Sequence, residues 1–266
     1  MRNPLLGWLF YGHLWIALAA AALCWQSLYL HAEPTALAPE TLFVFFGTLG
    51  VYTLHRQFSY HRAGGEPDGR RYRVVARYPR LSATIGVGAL LLAGGVAWWI
   101  PLRQFWPVLL ALPFTGFYLV PVYPGGPRLR DFPYVKVVWV ALAWTLMTHV
   151  FPTHGAGWTA ETAIRFAFTL SIALLFDTRD VELDRRQGVR TLAADHPRLN
   201  RFLALALLAG CMMASAFTYP YLGWRLAAAY AIASAVGAVT RPDYGEDWYA
   251  TAVNGLLLLP PLSLLT

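Results

Sequence analysis

Asp177, Asp180 and Asp184 stand three and four residues apart, directly after an apolar run, and Arg185, Arg186, Gly188, Arg190 and Thr191 follow them. On a helix that turns about 100° per residue, Asp180 lies about 60° and Asp184 about 20° from Asp177, so the three carboxylates share one narrow face. Glu182 points away, and Arg179 and Arg186 fall on the far side. Carboxylates this close repel unless a cation sits among them. Hard oxygen ligands with open water positions suit Mg²⁺ carrying a substrate phosphate. Arg185 and Arg190 can take the remaining phosphate charge. The same residues also read as a solvated helix end in which neighbouring charges pair. The position favours ligands: Asp177 follows immediately on an apolar run, where ionisable groups are usually functional.

The elements that must carry these residues are membrane helices. The chain has 266 residues, 57% hydrophobic and 13% charged, with a mean hydropathy of +0.45. A soluble domain carries roughly 25% charged residues, so an ordinary cytosolic globule is excluded. The 11 Trp, 14 Tyr and 15 Phe exclude a disordered chain. At about 20 residues per span there is room for roughly nine helices. Nine apolar runs do occur, near 13–31, 41–60, 82–101, 105–122, 134–152, 162–177, 199–218, 221–239 and 248–265. Without an internal repeat, tail or linker, residues 1–266 read as one domain of all-α, polytopic class. Cys24 and Cys211 lie within apolar runs at no metal or disulfide spacing and read as core residues. Leu23 is too large to precede a lipoprotein cysteine, so residues 14–30 read as a helix rather than a cleaved signal.

The net charge of +7 does not point to nucleic acid, because most of the basic residues sit in short loops between apolar runs. With the N-terminus in the cytoplasm, only Arg103, Arg165 and Arg225 fall outside, and the other eighteen of the 21 lysines and arginines fall inside. That asymmetry predicts N-in, C-out topology, and hence an odd number of spans. A bacterial inner membrane is the expected location.

The stretch Asp177-x-x-Asp180-x-x-x-Asp184, continued by Arg185-Arg186-Gln187-Gly188-Val189-Arg190-Thr191-Leu192, resembles the second aspartate motif of the UbiA superfamily of intramembrane prenyltransferases. The nine helices, with long basic loops on one side, are similar to that family across essentially the whole chain. The resemblance implies a helical bundle around a central cavity that opens laterally to lipid, and the expected fold has one cavity reached from the cytoplasmic face. It also implies Mg²⁺-dependent ionisation of a polyprenyl diphosphate and capture of the allylic cation by an acceptor, often an aromatic ring. Tyr118, Arg128, Arg130 and Lys136, the only lysine in the chain, match the tyrosine and basic residues of the family's capping loop. The first aspartate motif is missing. Where the resemblance implies acidic residues at the end of the second helix, the chain reads Tyr52-Thr53-Leu54-His55-Arg56-Gln57-Phe58-Ser59-Tyr60-His61-Arg62.

The expected site follows. Asp177, Asp180 and Asp184 hold Mg²⁺ at one site rather than two. Arg56, Arg62, Arg128, Arg130, Arg185 and Arg190 bind diphosphate, since guanidinium is a good bidentate phosphate partner. Arg56, Tyr118 and Lys136 are the catalytic candidates. The expected partners are a polyprenyl diphosphate, the bilayer and an unknown hydrophobic acceptor, without nucleic acid. The alternative is a non-catalytic protein of the same fold that binds an isoprenoid lipid or a partner protein. A transporter is disfavoured, as no inverted repeat or pair of broken helices is visible.

Overall fold

The computed structural model describes residues 4–31, 37–62, 69–118, 121, 123, 126, 128–154, 159–186 and 188–265. Among them every regular element is helical. These are α1 (Pro4–Tyr11), α2 (Leu14–His31), α3 (Pro39–Arg62), α4 (Arg73–Arg77), α5 (Pro79–Ala97), α6 (Trp106–Gly116), α7 (Lys136–Thr145), α8 (Ala160–Arg186), α9 (Leu192–Asp195), α10 (Pro197–Thr218), α11 (Gly223–Val239), α12 (Glu246–Trp248) and α13 (Leu259–Leu262). A π-helical turn, Leu146–Val150, prolongs α7. A second, Tyr249–Val253, and a 3-10 turn, Leu256–Leu258, join α12 to α13 as one irregular arm. Among the described residues, the nine apolar runs thus correspond to α2, α3, α5, α6, α7, α8, α10, α11 and the α12–α13 arm. The fourth is shorter than its run: Pro113 lies inside α6, which ends at Gly116.

By length and composition α2, α5 and α10 can each cross a membrane, and Lys136–Val150 and α11 are shorter apolar helices. The charged end of α8 has a different role. Its 27 residues extend about 40 Å, beyond the ~30 Å of hydrocarbon. The surplus lets the segment from Asp177 to Arg186 stand at the boundary. α8 ends at Arg186, and Gly188, with φ of 68°, takes the left-handed region that glycine occupies at helix ends. The amide of Val189 returns to the Asp184 carbonyl at 2.9 Å.

The bundle core runs along α8. Phe168, Ile172 and Leu175 pack with Leu23 of α2, Leu208 of α10, Tyr230 of α11 and Tyr249 of the last arm. At the crossing of α3 and α5 a Cβ on Gly50 would stand 2.7 Å from the Leu90 side chain and 3.0 Å from the Gly86 carbonyl oxygen, so the two helices meet backbone to backbone. Outward faces remain apolar. Leu91, Leu92 and Phe217 are exposed, and Trp98, Trp99, Tyr221 and Trp224 are exposed around the α5–α6 and α10–α11 connections. An outward apolar surface with aromatic residues at its rim suits lipid rather than water.

The basic connections gather at the opposite end. Arg71, from the α3–α5 connection, reaches Asp180 of α8. The amide of Tyr134, before α7, bonds the carbonyl of Arg190 at 3.1 Å, and Arg70 pairs with Asp247 of α12. Arg165, one of the three basic residues assigned to the other side, lies buried between helices. It donates to Leu23 O at 3.1 Å, Gln26 Oε1 at 3.0 Å and Ser27 Oγ at 3.2 Å.

Candidate functional site

The helical reading of the acidic face agrees with the backbone: α8 continues through all three aspartates. Their side chains find different partners. Asp177 and Asp184 are buried and hold one cation between them, with Lys136 Nζ 2.8 Å from Asp177 Oδ1 and 2.6 Å from Asp184 Oδ2. Lys136 is the first residue of α7. A cation at a helix N-terminus works against the helix dipole, and burial adds a desolvation cost. The two carboxylates supply the compensation. Arg130 approaches Asp184 Oδ1 at 3.4 Å.

Asp180 turns elsewhere. Arg179 Nε and Nη2 donate to its two oxygens, each at 2.9 Å, a bidentate pair of the strong, planar kind. Arg71 Nη1 lies 3.4 Å from the same carboxylate, and Arg71 Nε lies 3.2 Å from Glu246. Glu246 also accepts the amides of Arg70 and Arg71. This fastens the α3–α5 connection to the last arm.

A cavity of about 200 Å³ opens beside this cluster, between α1, α2, α3, α7, α8 and the last arm. Its wall is apolar and aromatic through Phe10, Ile16, Tyr52, Trp144, Ile172, Phe176 and Leu257, while Arg56, Arg71 and Arg179 also line it. Arg179 lies over the Phe176 and Tyr249 rings, and Arg56 over Tyr72. Among the described residues no carboxylate pairs with Arg56. An apolar body that also presents guanidinium groups is chemically matched to an amphiphile with an anionic head.

The expected residues are distributed as follows. Arg56 lines the cavity. The side chain of Arg62 lies outside the described residues. Arg128 caps the turn Leu129–Asp131, with Nε 2.9 Å and Nη2 2.7 Å from the Asp131 carboxylate. Burial opposes ionisation of Asp131, yet hydrogen bonds from the Arg128 side chain and backbone hold its carboxyl below the usual range. Arg185 donates to the Ala194 carbonyl at 3.1 Å. Arg190 is exposed and bonds Asp195 and Tyr134. Tyr118, after the end of α6, sits edge-on to His55 and beneath Arg130. Arg128, Arg185 and Arg190 thus make contacts within the loops and are not among the residues that line the cavity. Two cavity arginines were not foreseen. Arg71 reads in sequence as one more basic loop residue. Arg179 reads as lying on the wrong face, because a helical wheel fixes the Cα–Cβ direction and ignores the reach of a long side chain. Its adjacency to Asp180 and its i, i+3 relation to Phe176 were the available signals.

The donor set does not fit the expected Mg²⁺. Among the described residues no group of three or more His, Cys, Asp and Glu is arranged to hold a metal ion. Asp180 has both oxygens committed to Arg179, and Asp177 and Asp184 share the Lys136 ammonium. A shared helical face brings the carboxylates together, and in this structure cations from α7, α8 and the α3–α5 connection take them up.

No protein-family model and no curated protein matches the chain. Solved structures do. A UbiA homologue from Archaeoglobus fulgidus superposes with a TM-score of 0.67 over 97% of each chain at 15% identity. The structure of a UbiA homologue from the same organism bound to GPP and Mg²⁺ gives 0.65 over 95% of this chain and 97% of that one, at 16% identity. A third, bound to DMAPP and Mg²⁺, gives 0.63 over 94% and 96%, at 16% identity. From end to end, this chain has the all-α, polytopic membrane bundle of the UbiA fold.

Proposed function

We propose that the protein binds a polyprenyl diphosphate within the membrane and transfers its prenyl group to a hydrophobic acceptor. The observation that carries this reading is Arg56, without a carboxylate partner among the described residues, on the wall of an otherwise largely apolar cavity that Arg71 and Arg179 also line. The solved structures of the same fold hold GPP and DMAPP, ligands with this combination of an anionic head and an isoprenoid tail.

The residues of the chain divide the work. Guanidinium groups grip the diphosphate by charge-assisted hydrogen bonds. They strengthen as negative charge grows on the departing oxygen, when the bond from the allylic carbon to that oxygen breaks and its electron pair leaves with the diphosphate. Tyr52, Trp144 and Phe176 offer ring faces to the allylic cation, which cation–π attraction favours. The acceptor then supplies the electron pair for the new bond, and the proton it loses leaves with the diphosphate. Apolar walls keep water from competing as acceptor.

A non-catalytic lipid-binding role is the second reading, and one observation favours it: the carboxylates of α8 are neutralised internally by Lys136 and Arg179. Purified protein in detergent, given farnesyl or geranylgeranyl diphosphate and assayed for inorganic diphosphate, distinguishes the two. Release above the protein-free rate supports transfer. Binding without release leaves the lipid-binding role, and no binding removes both.

We further propose that residues 1–266 form one domain in a bacterial inner membrane, with a cytoplasmic N-terminus and an external C-terminus. The 18-to-3 division of basic residues supports this, as does the meeting of the basic connections at one end. Reporters fused after Arg80, Arg130 and Arg190 are expected in the cytoplasm, and one at the C-terminus outside. A cytoplasmic C-terminus would overturn the orientation.

A further inference from the structure

We infer that the ammonium of Lys136 is a resident cation, standing where a divalent ion would have to bind between Asp177 and Asp184, so that this chain handles its anionic ligand without a metal. The inference starts from an otherwise unfavourable placement. The sole lysine of the chain is buried at the N-terminal end of a helix, where both the helix dipole and desolvation act against it. Its contacts of 2.8 Å and 2.6 Å to two different aspartates offset that cost.

The same contacts leave no room for a metal. Mg²⁺ demands near-octahedral oxygen ligands at about 2.0–2.1 Å. Here Asp177 Oδ1 and Asp184 Oδ2 already face nitrogen, Arg130 approaches the second Asp184 oxygen, and Asp180 is held by Arg179 and Arg71. Among the described residues no carboxylate approaches from across the cavity: α3 carries none after Glu40 and presents His55 and Arg56 instead. The charges agree with the geometry. Among the described residues Asp177, Asp180, Asp184 and Glu246 are each contacted by a cation, supplied by Lys136, Arg71, Arg130 and Arg179. A divalent ion would have to displace one of these cations, whereas a diphosphate would meet Arg56, which lines the cavity without a carboxylate partner among the described residues.

Mn²⁺ added to the full-length protein in detergent, without lipid, tests this directly by its electron paramagnetic resonance spectrum. For the wild type the free-ion signal should persist. In Lys136→Ala the carboxylates are released, and the signal should fall by one ion per chain, with recovery on adding Mg²⁺ and no loss in Lys136→Ala/Asp177→Asn. Stoichiometric signal loss in the wild type would overturn the inference, as would a folded Lys136→Ala that leaves the signal untouched. The wild-type arm needs no variant, and Lys136→Gln, with a smaller volume change, serves if the alanine variant does not fold. A second arm rests on the proposed diphosphate site. Farnesyl diphosphate should bind the wild type equally in EDTA and in Mg²⁺, and binding that requires Mg²⁺ would overturn the inference. Absence of binding under both conditions would instead remove the proposed function, and the Mn²⁺ result would then decide on Lys136 by itself.

Discussion

Arg56→Ala is expected to lower affinity for farnesyl diphosphate tenfold to hundredfold while leaving affinity for farnesol almost unchanged. Arg56 lines the cavity, lies over the Tyr72 ring and has no carboxylate partner among the described residues. Its loss therefore removes a ligand contact without exposing a buried anion. A hydrogen bond to a charged group is worth roughly 1.5–3 kcal/mol, which is the stated range of affinity. The alcohol shares the isoprenoid tail and lacks the diphosphate, so it reports only on the apolar wall. Arg56→Lys should recover part of the loss, because it restores charge without the planar fork. Isothermal titration with both ligands, and a melting curve for each variant, makes the comparison. Equal losses for diphosphate and alcohol, or a large fall in melting temperature without ligand, would show Arg56 to be a packing residue.

The second large effect belongs to stability. Asp184 is fully buried and receives Lys136 at 2.6 Å and Arg130 at 3.4 Å. Replacing it with alanine leaves an ammonium in a site built for two carboxylates. Breaking a buried pair from one side costs about 3–5 kcal/mol, most of it for the charge left behind. The melting temperature should fall by on the order of 10 °C. Lys136→Met in the same chain should restore part of the loss, since the double variant removes the cation together with one anion. A thermal double-mutant cycle reads the coupling, which for residues in contact is typically about 0.5–3 kcal/mol. Additive losses would mean that Lys136 and Asp184 contribute independently and that their proximity does not hold the site together.

Asp180 differs from its two neighbours although all three were read as equivalent. The 3-4 spacing correctly placed the three carboxylates on one face of a continuous helix, because helical phase depends only on residue number once the backbone is helical. It could not foresee which cation each would meet. Those cations come from the start of α7 (Lys136), from the connection between α3 and α5 (Arg71), and from the reach of Arg179 on α8 itself. Two of the three are distant in the chain. Arg128, Arg185 and Arg190 show the converse. Arg185 and Arg190 follow the motif in sequence and Arg128 lies in the loop that resembles the family's capping loop, and the folded loops give the three partners in the Ala194 carbonyl, Asp195 and Asp131.

What the sequence by itself determined is therefore the part governed by local repetition and composition. Apolar runs long enough for a bilayer announce the helices, because the hydrocarbon core sets their length. Basic residues divided 18 to 3 mark which connections lie together, and a carboxylate face on α8 with Gly188 at its end follows from helical period and glycine's left-handed freedom. The tertiary structure alone decided that Lys136 enters between Asp177 and Asp184, that Arg71 and Arg179 join Arg56 along an apolar cavity, and that Arg165 is a buried strut rather than a loop charge. Each of these depends on which helices pack together. A buried ion finds its lowest free energy by pairing with whatever opposite charge the bundle brings within about 3 Å. No spacing along the chain encodes that partner.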